Sequence, residues 1–314
     1  MQRRRRQKGS QPHLAILVNR MATRFKPELV EQAISAIREK NAQYTVFSPE
    51  SGVEFLDMAL AAIGQRRNRS LAPTGFSRRG PVTGLIAVGG DGAFNLAARA
   101  ALKAEIPVGV IPCGRFNNIA RSLCGDCNPP AVLERIVAQT YSAVDVGMVG
   151  NQPFLSCLAI GLIPHLARLL ETSKQPRWAV GWSRLARQAV SEVRVKSTVI
   201  KIDAFRFEIS PRMINFSMLP NALGLSLTPP AIFDDGCGEI AFDIGKSDTD
   251  FGSFVKLVSK NKYYYRDEVR LYRGTSMHLQ PARGRLVYLD GELLEVPDNV
   301  LLVQVKKKAL KVYR

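Results

Sequence analysis

Short apolar runs at residues 14–18, 44–47, 85–88 and 108–111 alternate with segments of helical period at 27–40, 53–63 and 93–104. This alternation limits the fold more than any other feature of the chain. Runs apolar at nearly every position suit strands buried on both faces, and parallel neighbours need a crossover helix between them. The first part is therefore expected to be a layered α/β domain with a mainly parallel sheet.

From about residue 142 the pattern changes. Alternating segments at 143–149, 154–160, 198–209, 213–219, 239–244, 269–272, 285–289 and 300–305 predict a second domain rich in antiparallel strands. A length of 314 residues suits two domains. The expected division is a basic arm at 1–13, an α/β domain at 14–141 to which 300–314 return, and a β-rich domain at 142–299. Residues 65–81, rich in Arg, Ser, Gly and Pro, read as a basic loop. Wound as a helix, 174–190 places Trp178, Trp182, Leu185 and Ala189 on one face and Arg177, Arg184 and Arg187 on another. Two readings stand for that face: it docks on the sheet, or it lies against lipid.

The chain carries 44 basic and 27 acidic residues, a net charge of +17, which implies an anionic partner. No zinc-finger spacing or aromatic-interleaved basic stripe occurs, so no specific nucleic-acid binding is expected. The apolar runs fall well short of the ~20 residues of a spanning helix. Five cysteines without repeated spacing, including the lone pair Cys124 and Cys127, point to reduced thiols and a cytoplasmic setting. The arm, with Arg3 to Arg6 consecutive, is either a solvated tail or a tether to an anionic membrane surface, which would place the chain peripherally at the inner membrane.

Two glycine turns carry the chemistry. Gly89-Gly90-Asp91-Gly92-Ala93-Phe94-Asn95 leads from a buried strand into a helix, where backbone N–H groups make a ready anion site. A nucleotide phosphate suits it; Asp91 would repel that phosphate unless Mg²⁺ or water lies between them. The second turn is Cys113-Gly114-Arg115-Phe116-Asn117-Asn118. In a parallel sheet both turns emerge at the carboxyl edge, where ligands bind. Two acidic turns follow, Asp234-Asp235-Gly236 and Asp290-Gly291-Glu292; the second also reads as a type I′ hairpin.

Gly-Gly-Asp-Gly, then Pro112-Cys113-Gly114 with Asn117-Asn118 and Ala120-Arg121-Ser122-Leu123, then Pro230-Ala231 with Asp234-Asp235-Gly236, then Asp290-Gly291-Glu292: in this order the motifs resemble the catalytic domain of diacylglycerol, sphingosine and ceramide kinases and their bacterial relatives. The resemblance implies an active site in the cleft between an α/β nucleotide-binding domain and a β-rich lipid domain. It implies ATP and Mg²⁺ as cofactors and transfer of the γ-phosphoryl group to a lipid alcohol. Carried onto this sequence, the nucleotide site is Ser48, Gly89, Gly90, Asp91, Gly92, Ala93, Phe94, Asn95, Gly114, Arg115 and Asn118. The metal segment is Ile232, Asp235 and Cys237. The proton acceptor is Glu292, with Asp290 as the alternative, and Asp91 joins the catalytic set. Ala93 and Arg115 stand where the family has threonines, and the family's early Asn-Pro-x-x-Gly turn is here Asn19-Arg20-Met21-Ala22, without its Pro and Gly. A second reading follows: a family member without transfer activity that binds lipid or nucleotide as a regulatory protein.

Overall fold

The computed structural model describes residues 11–64, 81–125, 128–173, 181–243, 257, 260 and 262–314. Most of the expected arm, the basic loop at 65–80, Cys127, and residues 174–180 with Arg177 and Trp178 lie outside the described residues.

Strands β1 (His13–Val18), β2 (Gln43–Phe47), β3 (Gly84–Gly89) and β4 (Val108–Pro112) pair in parallel in the order β2-β1-β3-β4. Helices α1 (Pro27–Glu39), α2 (Gly52–Ala62), α3 (Asp91–Ala104), α4 (Asn118–Cys124) and α5 (Pro129–Val137) cover both faces. Leu14, Ile16 and Val18 face α1 and α5, whereas Ala15 and Leu17 face α2, α3 and α4. Two-sided burial is why β1 and β3 read as unbroken apolar runs. Local chemistry sets the helix starts. Pro27 opens α1 with the φ a first turn needs. Ser51 caps α2 by accepting from the Glu54 N–H at 3.1 Å, and the Glu54 carboxylate reaches back to the Glu50 N–H at 2.7 Å. The expected arm boundary is corrected at His13. That residue begins β1, is buried, and its Nε2 lies 2.8 Å from Thr45 Oγ1.

The remaining elements run β5 (Tyr141–Val149), β6 (Gln152–Phe154), β7 (Cys157–Gly161), α6 (Leu162–Ser173), α7 (Trp182–Glu192), β8 (Thr198–Ile202), β9 (Phe205–Ile209) and β10 (Met213–Ser217). After a short ribbon of β11 (Asn221–Ala222) and β12 (Leu225–Ser226) come β13 (Gly238–Asp243), β14 (Val269–Gly274), β15 (Ser276–Gln280), β16 (Leu286–Leu289), β17 (Glu292–Glu295) and β18 (Leu301–Tyr313).

β18 joins the two halves. It pairs antiparallel with β15 and β5, and its end meets β4 in parallel at Val312 and Val108. The parallel sheet thus continues through β18, β15, β8 and β9 as one ten-stranded sheet. A separate antiparallel sheet, β14-β13-β10-β7-β16-β17, stacks on that extension across a core that includes Phe154, Ile160, Ile200, Phe216, Met277 and Val303. Its outer face is covered by α6 and α7 through Leu162, Leu166, Leu170, Ala186 and Ala189. Within α7, Ala186 and Ala189 are buried and Arg184 and Arg187 exposed, so the described part of the amphipathic segment docks on protein. Helix α6 has no counterpart in the sequence reading, although Leu162, Leu166 and Leu170 recur every fourth residue.

Candidate active site

The loops that follow β1, β3 and β4 are stitched together at the carboxyl edge of the parallel strands. Asn19 N–H donates to the Val88 carbonyl (2.9 Å), Cys113 N–H to Gly89 (2.9 Å) and Arg24 N–H to Cys113 (2.8 Å). The two glycine turns lie backbone against backbone: a Cβ on Gly114 would fall 2.4 Å from the Gly90 Cα. Neither glycine admits a side chain without parting the turns. Gly114→Ala should therefore destabilise the fold by about 1–3 kcal/mol and weaken nucleotide binding. Thermal unfolding and a nucleotide titration check it, and an unchanged variant would mean that the turns tolerate separation.

Asp91, at the start of α3, fixes the second turn. One carboxylate oxygen accepts from the Asn118 N–H and side-chain amide, both at 2.9 Å, and the other from the Ile119 N–H at 2.8 Å. Burial pushes this carboxyl above its usual range, and the three donors with Arg121 pull it back. The carboxylate thus caps the first turn of α4 and fixes one glycine turn against the other. Asn117, with φ of 53°, accepts from the Gly114 N–H at 2.8 Å, and Asn118 accepts from the Gly224 N–H at 2.8 Å.

Other expected nucleotide residues are dispersed in role. Gly92 is exposed with open space beside it, and Ser48 is half-buried at the end of β2 with Arg20 Nη2 at 3.5 Å. Ala93 and Phe94 are buried, and the Phe94 side chain belongs to the core under the sheet. The Arg115 guanidinium donates to the Leu170 carbonyl at the end of α6 (3.2 Å), spanning from the β4 turn to the second half of the chain.

The Asp-Gly-Glu turn is a two-residue hairpin between β16 and β17, with φ of 50° at Asp290 and 104° at Gly291, as a type I′ turn requires. Asp290 is buried and accepts four hydrogen bonds: from the N–H groups of Leu155 (2.5 Å), Ser156 (2.7 Å) and Cys157 (3.0 Å), and from Asn95 Nδ2 (2.8 Å). Burial raises its pKa to about 6 against the pull of those donors. With its oxygens occupied, Asp290 holds the hairpin against α3 and leaves no free edge for a substrate proton. Glu292 is exposed instead. Its carboxylate pairs with Arg99 Nη2 at 3.3 Å and accepts from Gln152 Nε2 at 3.2 Å. Arg99 also donates to Asn95 Oδ1 at 2.7 Å, so one chain of bonds runs from Glu292 through Arg99 and Asn95 to Asp290.

Around Asp235 a guanidinium stands beside the carboxylate that the resemblance assigns to a metal. Asp235 accepts from the Cys237 N–H at 2.9 Å and is ion-paired with Arg273, whose Nε also binds Glu239 Oε1 at 2.8 Å. A guanidinium thus already bridges the two carboxylates. Ile232 is exposed, and no group of three or more His, Cys, Asp or Glu side chains that could hold an ion occurs among the described residues. Burial raises the Glu239 pKa to about 7 against the pull of Arg273, with Asp235 adding to the rise, and its Oε2 is buried without a hydrogen-bond partner among the described residues. A carboxyl whose pKa rises on folding holds more protons folded than unfolded, so stability should fall as pH rises from about 4.5 to about 7. Glu239→Gln should flatten that slope in denaturant titrations; an unaltered slope would place its origin elsewhere.

Residues that the sequence reading missed hold this region together. Buried Asp145 in β5 accepts from the Gly236 N–H (2.5 Å) and the Lys308 N–H (2.6 Å), tying the Asp-Asp-Gly turn to a bulge in β18. A lone acid inside an apolar strand was its available signal. Arg99, Gln152 and Arg273 carried none, because the acids they meet are remote in sequence.

Residues 13–149 match the diacylglycerol kinase catalytic domain. That part of the chain is thus similar to the catalytic domain of diacylglycerol kinases. It is 23% identical over 214 residues to a diacylglycerol kinase of Staphylococcus aureus (strain bovine RF122 / ET3-1), covering 66% of this chain and 67% of that one. An uncharacterized protein of Synechocystis is 23% identical over 225 residues, 67% of this chain but half the length of that relative. A crystal structure of a diacylglycerol kinase from Bacillus anthracis str. Sterne superposes with a TM-score of 0.72 at 15% identity, covering 98% of each chain. A second crystal structure from that organism reaches 0.76 at 16% identity with the same coverage. The two-part α/β and antiparallel architecture is thus that of diacylglycerol kinase-like structures. No helix among the described residues is long and apolar enough to cross a membrane.

Proposed function

We propose that this diacylglycerol kinase-like chain transfers the γ-phosphoryl group of Mg-ATP to a lipid hydroxyl, with Glu292 accepting the hydroxyl proton. The observation that carries the reading is the Asn95–Asp290 hydrogen bond, which joins residues 195 apart and fastens the Asp-Gly-Glu hairpin to the helix that starts at the phosphate turn. Asp91 and Arg99 are eight residues apart on α3, about 12 Å along its axis. The carboxylate that Arg99 holds therefore lies beside the same helix that starts at the phosphate turn. The backbone N–H groups of the Gly90–Gly92 turn bind phosphate oxygens, and Arg20 beside Ser48 adds positive charge at the same edge. Mg²⁺ arrives as the counter-ion of ATP, offsetting charge on its phosphates. The lipid oxygen forms a bond to the γ-phosphorus as the bond to the β-phosphate oxygen breaks; the hydroxyl proton passes to Glu292 and ADP leaves.

A second reading has its own support. Ala93 has no hydroxyl to offer, and the Arg115 guanidinium is engaged by the Leu170 carbonyl, so the chain would bind nucleotide or lipid as a regulatory protein. One assay separates the two. Purified protein with labelled ATP, Mg²⁺ and a panel of lipid alcohols yields labelled lipid if the kinase reading holds. Nucleotide binding without any product supports the regulatory one.

A further inference from the structure

A groove of about 1000 Å³ opens beside Glu292, on the side away from the phosphate turn. One face of α3 runs into it: Asn95 reaches Asp290, Arg99 reaches Glu292 one turn on, and Leu102, Lys103 and Ile106 line the groove beyond. Arg99 and Gln152 serve both places, since each touches the Glu292 carboxylate and forms part of the groove wall. The lining is of two kinds. Leu102, Ile106, Met148 and Leu310 give it an apolar floor. Among the described residues, Arg99, Lys103, Lys306, Lys308 and Lys311 give it five cations, against one acid, Glu105. Lys103, Lys306 and Lys308 are exposed, and Lys311 donates to the Glu105 carbonyl at 2.9 Å. The cationic stretch of β18 enters the groove because the strand bulges between Lys306 and Leu310, where Asp145 holds the Lys308 N–H.

We infer that this groove seats the acceptor, and that the acceptor is an acidic phospholipid alcohol whose headgroup carries a phosphate as well as a free hydroxyl. The inference deepens the kinase reading and rests on it. A neutral diacylglycerol would place its headgroup beside the exposed Lys103, Lys306 and Lys308 and bring no charge to them. A phosphodiester headgroup answers them directly, and phosphate attracts guanidinium and ammonium groups strongly where water is partly excluded. Its acyl chains cover the apolar floor. Its phosphate also competes with Glu292 for Arg99, so binding loosens the ion pair on the proton acceptor as the hydroxyl arrives.

The test uses the full chain and short-chain lipids below their micelle concentration, which keeps vesicle attraction to the basic arm out of the measurement. Dihexanoyl phosphatidylglycerol should bind by calorimetry at least tenfold more tightly than dihexanoyl phosphatidylcholine or inorganic phosphate. Lys103→Glu with Lys306→Glu, both exposed positions, should weaken phosphatidylglycerol binding at least tenfold, and Lys103→Gln with Lys306→Gln by less. In the kinase assay, phosphatidylglycerol should give a higher kcat/KM than dihexanoylglycerol. Binding that the charge-reversed variant leaves unchanged, or that is equal for neutral and acidic lipid, overturns the groove. A preference for dihexanoylglycerol as acceptor overturns the acidic-acceptor assignment while the kinase reading stands. Absence of product from every lipid removes the kinase reading and the acceptor role with it, and the calorimetry still decides whether the groove binds acidic lipid.

Discussion

Glu292→Gln is expected to lower phosphoryl transfer to lipid by at least about 100-fold, the scale of a lost general base. Glutamine keeps the length and the contact to Gln152 or Arg99 that a carbonyl oxygen can make, but it cannot take a proton. The side chain is exposed at a hairpin tip, so the fold should be unaffected. Nucleotide affinity should also hold, because Glu292 lies about two turns of α3 from the phosphate turn. The measurement is kcat with saturating lipid alongside a nucleotide titration. A variant with wild-type kcat would take the proton-acceptor role away from Glu292 and reopen the mechanism.

Asp290→Asn should have its largest effect on stability. Four N–H donors converge on the buried Asp290 carboxylate. An asparagine amide turns its own NH₂ toward at least one of them, leaving buried donors face to face. The cost of breaking such a satisfied, buried charge site is about 3–5 kcal/mol. The melting temperature should drop by roughly 10 °C. Glu295→Gln, on the exposed arm of the same hairpin, should change it little. Equal melting temperatures for the two variants would show that the four hydrogen bonds do not hold the hairpin. The shifted ionisation adds a signature. Because burial raises the Asp290 pKa to about 6, its ionisation subtracts from stability as pH climbs from about 4 to 6, and Asp290→Asn should lose that component.

Much of the framework was legible in the sequence because its causes are local. Strand β1 was visible as an apolar run, and α1 and α2 through the helical period at 27–40 and 53–63. The Asp290-Gly291 hairpin was visible because a type I′ turn needs two residues that accept positive φ. The segment at 198–209 was legible only in part. It reads as one strand but folds as the hairpin of β8 and β9, turning at Asp203, whose φ of 48° an aspartate tolerates without a glycine to announce it. The role of each acid was not legible at all. Asp91, Asp235, Asp290 and Glu292 look alike as a set of four carboxylates, yet one caps a helix, one is bridged by Arg273, one is sealed by donors and one stays open.

By itself the sequence determined the order of strands and helices from β1 to α4, the two glycine turns and the family that the motifs resemble, because dihedral preferences and burial periodicity act between residues a few positions apart. Tertiary structure alone decided that β18 unites the two halves, that Arg99 meets Glu292 across 193 residues, and that Asp290 is closed to substrate. Those outcomes depend on which donors and charges distant segments bring together, and a carboxylate's chemistry is set by its neighbours in space.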